Sequence, residues 1–154
     1  MEEGTTRADP RKLARAIVSW RRVQPMRTTG DLVRCLRGAL GRRAGPKLLA
    51  SVFSALRMAV NGELQDLECA LQDLPGLLRP GGVLCVLCYQ SQEDRRVKWL
   101  RRSTLLDPRS GSAFRMEPLS RKPLGPSQGE ARKNRRARSA RLRAFRRAPL
   151  HLGT

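Results

Sequence analysis

The residues best placed to do chemistry stand together, just after an apolar run. Val83-Leu84-Cys85-Val86-Leu87-Cys88-Tyr89 leads into Gln90-Ser91-Gln92-Glu93-Asp94-Arg95. A continuous apolar run of this length suits a strand buried on both faces, as in a parallel sheet with helices on each side. Ligands of open α/β sheets collect beyond the carboxyl ends of such strands, which makes Ser91, Glu93 and Asp94 candidate site residues. A plainer role fits them equally: a capping serine followed by acids in the first turn of a helix. The two roles are compatible.

A second constellation is Asn61-Gly62-Glu63. Leu49, Phe53, Leu56, Val60, Leu64, Leu67, Leu71 and Leu74 recur at spacings of three and four. That pattern predicts one helix of about seven turns with Gly62 inside it. A glycine there costs roughly 1 kcal/mol against alanine, so close approach of a backbone or a ligand should justify it.

Cys85 and Cys88 form a CxxC, but there is no second CxxC, and His151 is the sole histidine. A metal site is therefore not expected, and inside an apolar strand both thiols are expected to face the core. With Cys35 and Cys69 they fit a reduced, intracellular setting. Tyr89 and Trp99 are the nearest aromatics for stacking a base, though burial is expected for both. From Arg132 to Arg147 there are nine bases in sixteen residues and no acid. Such a stretch suits a basic arm or edge strand that clamps nucleic-acid phosphates, or else a solvated tail or localisation signal.

The elements that would position these groups can be read along the chain. Its 154 residues, net charge of +19 and pI near 11.6 suit one domain, or part of one, that binds a polyanion. No run of 18 apolar residues is present, so no membrane span is expected. The start lacks the apolar segment of a secretory signal, and Glu2 and Glu3 argue against a mitochondrial transit peptide. Residues 10–22 read as a helix opened by Pro10. A second helix over 31–40 is capped by Thr28 or Thr29 and closed by Gly41. Pro75-Gly76 and Pro80-Gly81-Gly82 break the chain before the apolar strand. Residues 93–102 read as a charged helix. Residues 103–130 read as loop around a short strand at 113–116, and 139–145 as a last strand or short helix.

Taken in order, six segments resemble the MraW/RsmH family of 16S rRNA cytosine-N4 methyltransferases. Residues 13–18 (LARAIV) resemble its RIARAIV helix, and 28–33 (TTGDLV) its TTxxLA/V segment. Residues 52–64 (VFSALRMAVNGEL) resemble TFQALRIAVNxEL, and 78–84 (LRPGGVL) resemble LxPGGRL. Residues 89–98 (YQSQEDRRVK) resemble FHSLEDRIVK, and 134–143 (NRRARSARLR) resemble NPRARSAKLR. The departures are Gln90 for the family's histidine, Gln92 for its leucine and Arg135 for its proline.

The resemblance implies an α/β fold. Specifically, it implies a partial Rossmann-like S-adenosylmethionine-dependent methyltransferase fold with a remnant of a helical insert and a basic C-terminal segment. Its parts would be residues 10–45, the end of the insert; 46–103, the C-terminal part of the α/β domain; and 104–154, the loop-rich basic segment. It implies methyl transfer to the exocyclic amine of a cytosine in small-subunit rRNA, a poor nucleophile whose reaction depends on alignment. Asn61, Glu63, Ser91, Glu93 and Asp94 would line the cytosine or donor pocket. Arg95, Lys98, Asn134, Arg135, Arg136, Arg138 and Arg141 would contact rRNA, and Gln90 removes a proton carrier. The family's glycine-rich donor loop, ribose-binding acid and DLG segment have no counterpart in these residues. No cofactor-binding residue is therefore expected to be retained, and catalysis is not expected from this chain alone. The alternative is a non-catalytic RNA-binding protein that uses the basic segment. The compartment would be the bacterial cytoplasm or an organelle.

Overall fold

A computed structural model describes residues 9–149. The chain divides into two compact units between Asn61 and Gly62, inside the 46–103 segment.

The first unit is helical. α1 (Pro10–Val23) starts on Asp9, whose side chain accepts the Arg11 N–H, with Pro10 at the first position. α2 (Thr29–Leu40) carries a full capping box: the Thr28 hydroxyl accepts the Asp31 N–H, and the Asp31 carboxylate accepts the Thr28 N–H at 2.7 Å. Leu32, Cys35 and Leu36 form its buried stripe. α3 (Pro46–Val60) again opens on a proline and is capped by Asn61.

The single long helix expected over 49–74 is two helices. Gly62 sits at φ 66°, ψ 17°, a left-handed conformation that ends α3 and opens α4 (Glu63–Leu77). Only the backbone conformation shows the break, because the apolar spacing runs across it unchanged. α4 then continues past Pro75 and Gly76. A Cβ at Gly76 would come within 2.9 Å of the Pro108 ring, so packing requires a glycine there.

The second unit is α/β. After α4 come β1 (Val83–Cys88), α5 (Ser91–Val97) and a 3-10 turn over Lys98–Arg102. β2 (Thr104–Leu106) and β3 (Ala113–Pro118) follow, then α6 (Gln128–Lys133), a 3-10 turn over Arg135–Ser139, and β4 (Arg141–Pro149). The sheet order is β1-β4-β3-β2, and every pairing is antiparallel.

This arrangement corrects two expectations. β1 lies at one edge of an antiparallel sheet and not inside a parallel one. Only Leu84, Val86 and Cys88 face the core, because α4 and α5 both pack on that side with Leu71 and Val97. The basic segment supplies neither an arm nor an edge: β4 is an inner strand, paired with β1 on one side and β3 on the other. Phe145, opposite Leu84 and Pro118, sits at the centre of the core with Phe114, Met116 and Leu100. The 103–130 stretch also contains β2, which the sequence pattern did not suggest.

Candidate functional site

The C-terminal end of β1 feeds α5 through Tyr89 and Gln90. Glu93 Oε2 accepts the Tyr89 N–H at 2.8 Å and the Gln90 N–H at 3.1 Å, which closes the turn. Gln90 is the capping residue and Ser91 the first residue of the helix, so the serine is not the cap. Glu93 therefore shapes the turn, and Ser91 is left exposed at the mouth of a groove.

Behind the turn lies Asp94, which is almost fully buried. Its Oδ1 accepts Arg143 Nε at 2.6 Å, and its Oδ2 accepts Arg143 Nη2 and Arg141 Nη1, each at 3.3 Å. Lys98 Nζ stands 3.3 Å from Oδ2. Burial alone would raise the carboxyl's pKa. The Arg143 and Lys98 hydrogen bonds and charges outweigh that and hold it below the ordinary aspartate value.

Arg141 links this buried cluster to the surface. It lines a groove of about 490 Å³ together with Tyr89, Ser91, Pro126, Arg138 and Ser139. Arg138 also lines a neighbouring open basin of about 750 Å³ with Arg132 and Arg135. The 3-10 turn that carries these arginines is capped by Asn134, whose side chain accepts the Arg136 N–H at 3.0 Å, and is anchored by buried Ala137. The fold thus brings Ser91, Arg138 and Arg141 to one groove, with Asp94 and Lys98 behind it, and Arg135 to the adjoining basin that shares Arg138, while Asn134 and Arg136 line neither. Arg95 lines a separate groove beside Trp99 and Gln72, where Arg96 Nε pairs with Glu68 at 2.5 Å. Asn61 caps α3 in the first unit, while Glu63 opens α4 in the second.

Two arginines of the basic stretch are not available to a phosphate. Arg143 and Arg147 are both buried. Arg147 donates to Gly76 O at 3.1 Å, to Leu78 O and to Asp107 Oδ2, and its guanidinium lies 4.0 Å from the Phe114 ring centre. The signal for this was the period of two: Arg143, Phe145 and Arg147 share the inward side of β4. The same parity separates the cysteines, since Cys88 is buried and Cys85 exposed, so only one thiol faces the core. Burial, helped by the Glu93 and Asp94 carboxylates, pushes the Cys88 thiol up to about 11. Tyr89 and Trp99, both expected to be buried, are exposed. Among the described residues no group of side chains could hold a metal ion, and no helix is long and apolar enough to cross a membrane.

The model of the MraW methylase family matches residues 2–148. The chain belongs to that family. This MraW-family chain is 44% identical over 146 residues to the ribosomal RNA small subunit methyltransferase H of Gemmatimonas aurantiaca, covering 89% of the chain and 46% of the relative. It is 42% identical to the protein of the same name in Gluconobacter oxydans, covering 88% and 45%. For that of Lactiplantibacillus plantarum the identity is 41%, covering 89% and 47%. The chain spans under half the length of the curated relatives it matches, on their C-terminal part. Its mixed helix–strand architecture is a partial S-adenosylmethionine-dependent methyltransferase fold.

Methyltransferases of this kind use S-adenosylmethionine. The described residues do not fit it. A glycine-rich donor loop of the dinucleotide-binding kind joins the end of a strand to the start of a helix. β1 instead enters α5 through Tyr89-Gln90, and the turn at Gly81-Gly82 lies before the strand, between α4 and β1.

Proposed function

We propose that this chain is the RNA-holding, C-terminal part of a methyltransferase that modifies the N4 amine of a cytosine in small-subunit rRNA. The observation that carries this reading is the groove at the end of β1, where Ser91 faces Arg138 and Arg141 and a buried carboxylate fixes Arg141. Arg135, Arg136, Arg138 and Arg141 hold phosphates, which gives strong but sequence-blind affinity. Ser91 offers a hydroxyl at the groove wall for the base, while Glu93 and Asp94 act through the turn and Arg141. Asn61 and Glu63 are each candidates for a cytosine or donor pocket, and Arg95 of α5 and Lys98 just after it extend the RNA contact. On this reading residues 10–45 are the end of a helical insert, 46–103 the C-terminal part of the α/β domain and 104–154 the basic segment. The setting is inside the cell, in a bacterial cytoplasm or an organelle.

Because the described residues form no donor cradle, this chain's share of the reaction is alignment of the RNA. Titrating the chain with a small-subunit rRNA fragment should show binding that weakens steeply with salt. Titration with S-adenosylmethionine alone should show no saturable heat. Saturable donor binding would overturn the division of labour, and the absence of RNA binding at low salt would overturn the RNA-holding role. RNA binding without any methyl transfer, even alongside a donor-binding part, would favour a non-catalytic RNA-binding protein.

A further inference from the structure

Trp99 is a large ring left half open to solvent, at 48% exposure. It stands in the 3-10 turn after α5, between Val97 and Leu100, which are fully buried and anchor the turn in the core. Ser103 Oγ donates to the Trp99 carbonyl at 2.9 Å and ties down the end of that turn. The ring lines a groove of about 420 Å³ between α4 and α5. Leu71, almost fully buried, closes the groove on the core side, and Glu68, Gln72, Arg95 and Arg96 complete its lining. The Glu68–Arg96 pair joins the two helices. The volume falls within the roughly 300–1,000 Å³ of ordinary small-ligand sites.

Cations crowd around this ring. Residues 95–102 contain Arg95, Arg96, Lys98, Arg101 and Arg102. Arg96 pairs with Glu68 and Lys98 with Asp94. Arg95, Arg101 and Arg102 have no ion pair among the described residues. An exposed aromatic face set among unpaired cations is the arrangement that holds single-stranded nucleic acid, the ring taking a base and the cations its phosphates.

We propose that this groove is a stacking site for one unpaired base of the RNA strand, separate from the groove lined by Ser91 and Arg141. The proposal rests on the RNA-holding reading above and adds a second point of contact to it. Trp99 presents a π-face to the base, Arg95 holds the adjoining phosphate, and the Gln72 amide offers a donor and an acceptor to the base edge. Stacking of this kind accepts any base but not a paired one, whose faces are already covered within a helix. A protein partner fits the groove less well. Apart from Trp99 and buried Leu71 every lining residue is charged or polar, whereas the centre of a protein interface is depleted of charge.

The indole reports its own occupancy. Trp20, in the first unit, is the other tryptophan, so a Trp20→Phe variant of the full chain leaves Trp99 as the sole emitter. The probes are a single-stranded small-subunit rRNA fragment and a fully paired duplex of the same sequence. The single strand should quench Trp99 emission saturably, while the duplex binds through charge and leaves the emission unchanged. Trp99→Ala should weaken single-strand binding about tenfold and keep the salt slope, because it removes a stacking face and no charge. Trp99→Phe should retain most of the affinity. Arg95→Gln should lower the salt slope by about 1 and keep the quenching. Single-strand binding with unaltered Trp99 emission overturns this proposal and leaves the RNA-holding role standing. Equal quenching by the strand and the duplex also overturns it, since a paired base has no free face. Absence of binding by either RNA overturns both readings.

Discussion

Asp94 of α5 and Arg143 of β4 form a buried ion pair, Oδ1 to Nε 2.6 Å, that ties the helix after β1 to the inner strand of the sheet. The pair is 49 residues apart in the chain, and both side chains are nearly closed to solvent. Removing Asp94 leaves Arg143 buried and uncompensated, which costs about 3–5 kcal/mol, while removing Arg143 leaves the buried Asp94 with only the longer contacts to Arg141 and Lys98 and costs less. Asp94→Ala and Arg143→Met should each lower the urea midpoint accordingly. The double variant Asp94→Leu/Arg143→Met should recover much of that loss, because it leaves no orphaned charge. Additive losses in the double variant would show that the two residues act independently.

Acid should unfold the protein through the same groups. Asp94, Asp107 and Asp31 all have folded pKa values below the ordinary 3.8. For Asp107 the causes are the Arg109 N–H and the Arg147 guanidinium, and for Asp31 they are the Thr28 backbone and hydroxyl. Groups shifted this way stabilise the fold above their unfolded pKa and lose that contribution as pH falls through the folded value. Stability should therefore be flat near neutrality and decline below about pH 4, where unfolded aspartates begin to take up protons. Asp94→Asn should be less stable at pH 7 and show a shallower acid limb. An unchanged limb in this variant would remove Asp94 from the explanation.

The RNA contact should separate the surface arginines from the buried ones. Arg138→Gln and Arg141→Gln should each weaken rRNA-fragment binding across all sequences and reduce the salt slope by about 1. Arg115, exposed and paired with Glu117 at 2.6 Å on β3, lies outside both basic grooves. Arg115→Gln should leave the slope unchanged. Equal effects from all three substitutions, measured by fluorescence anisotropy at several salt concentrations, would mean that binding follows net charge and not the groove.

Some local signals were readable in advance, though not the Gln90 cap or the Gly62 break, and long-range pairing was not. Thr28 is one of the two threonines that offer a cap for α2, and the run from Val83 announces a strand. What the run does not contain is its neighbour, which arrives from residues 141–149 and runs antiparallel. The family resemblance singled out residues 89–98 and 134–143 as separate segments, without showing that Asp94 joins them or that Pro123 and Pro126 line the groove between. The arginines misled when counted as charge. Their alternation with Phe145 marks Arg143 and Arg147 as inward-facing, but only once the segment is known to be an inner strand and not an arm. Gly62 left no trace in the apolar spacing, because Val60 and Leu64 keep the helical interval across a single left-handed residue.

That glycine gives the sharpest test of the two-helix arrangement. At φ 66° a side chain is strained whatever space surrounds it, and no atom lies within 4 Å of a Cβ placed at Gly62. Gly62→Ala should therefore destabilise by about 1–2 kcal/mol through the backbone alone. Gly62→Asn should cost less, since asparagine tolerates the left-handed region. If 49–74 were instead one continuous helix, Gly62→Ala would stabilise it by roughly 1 kcal/mol. The sign of the change in thermal midpoint decides between the two.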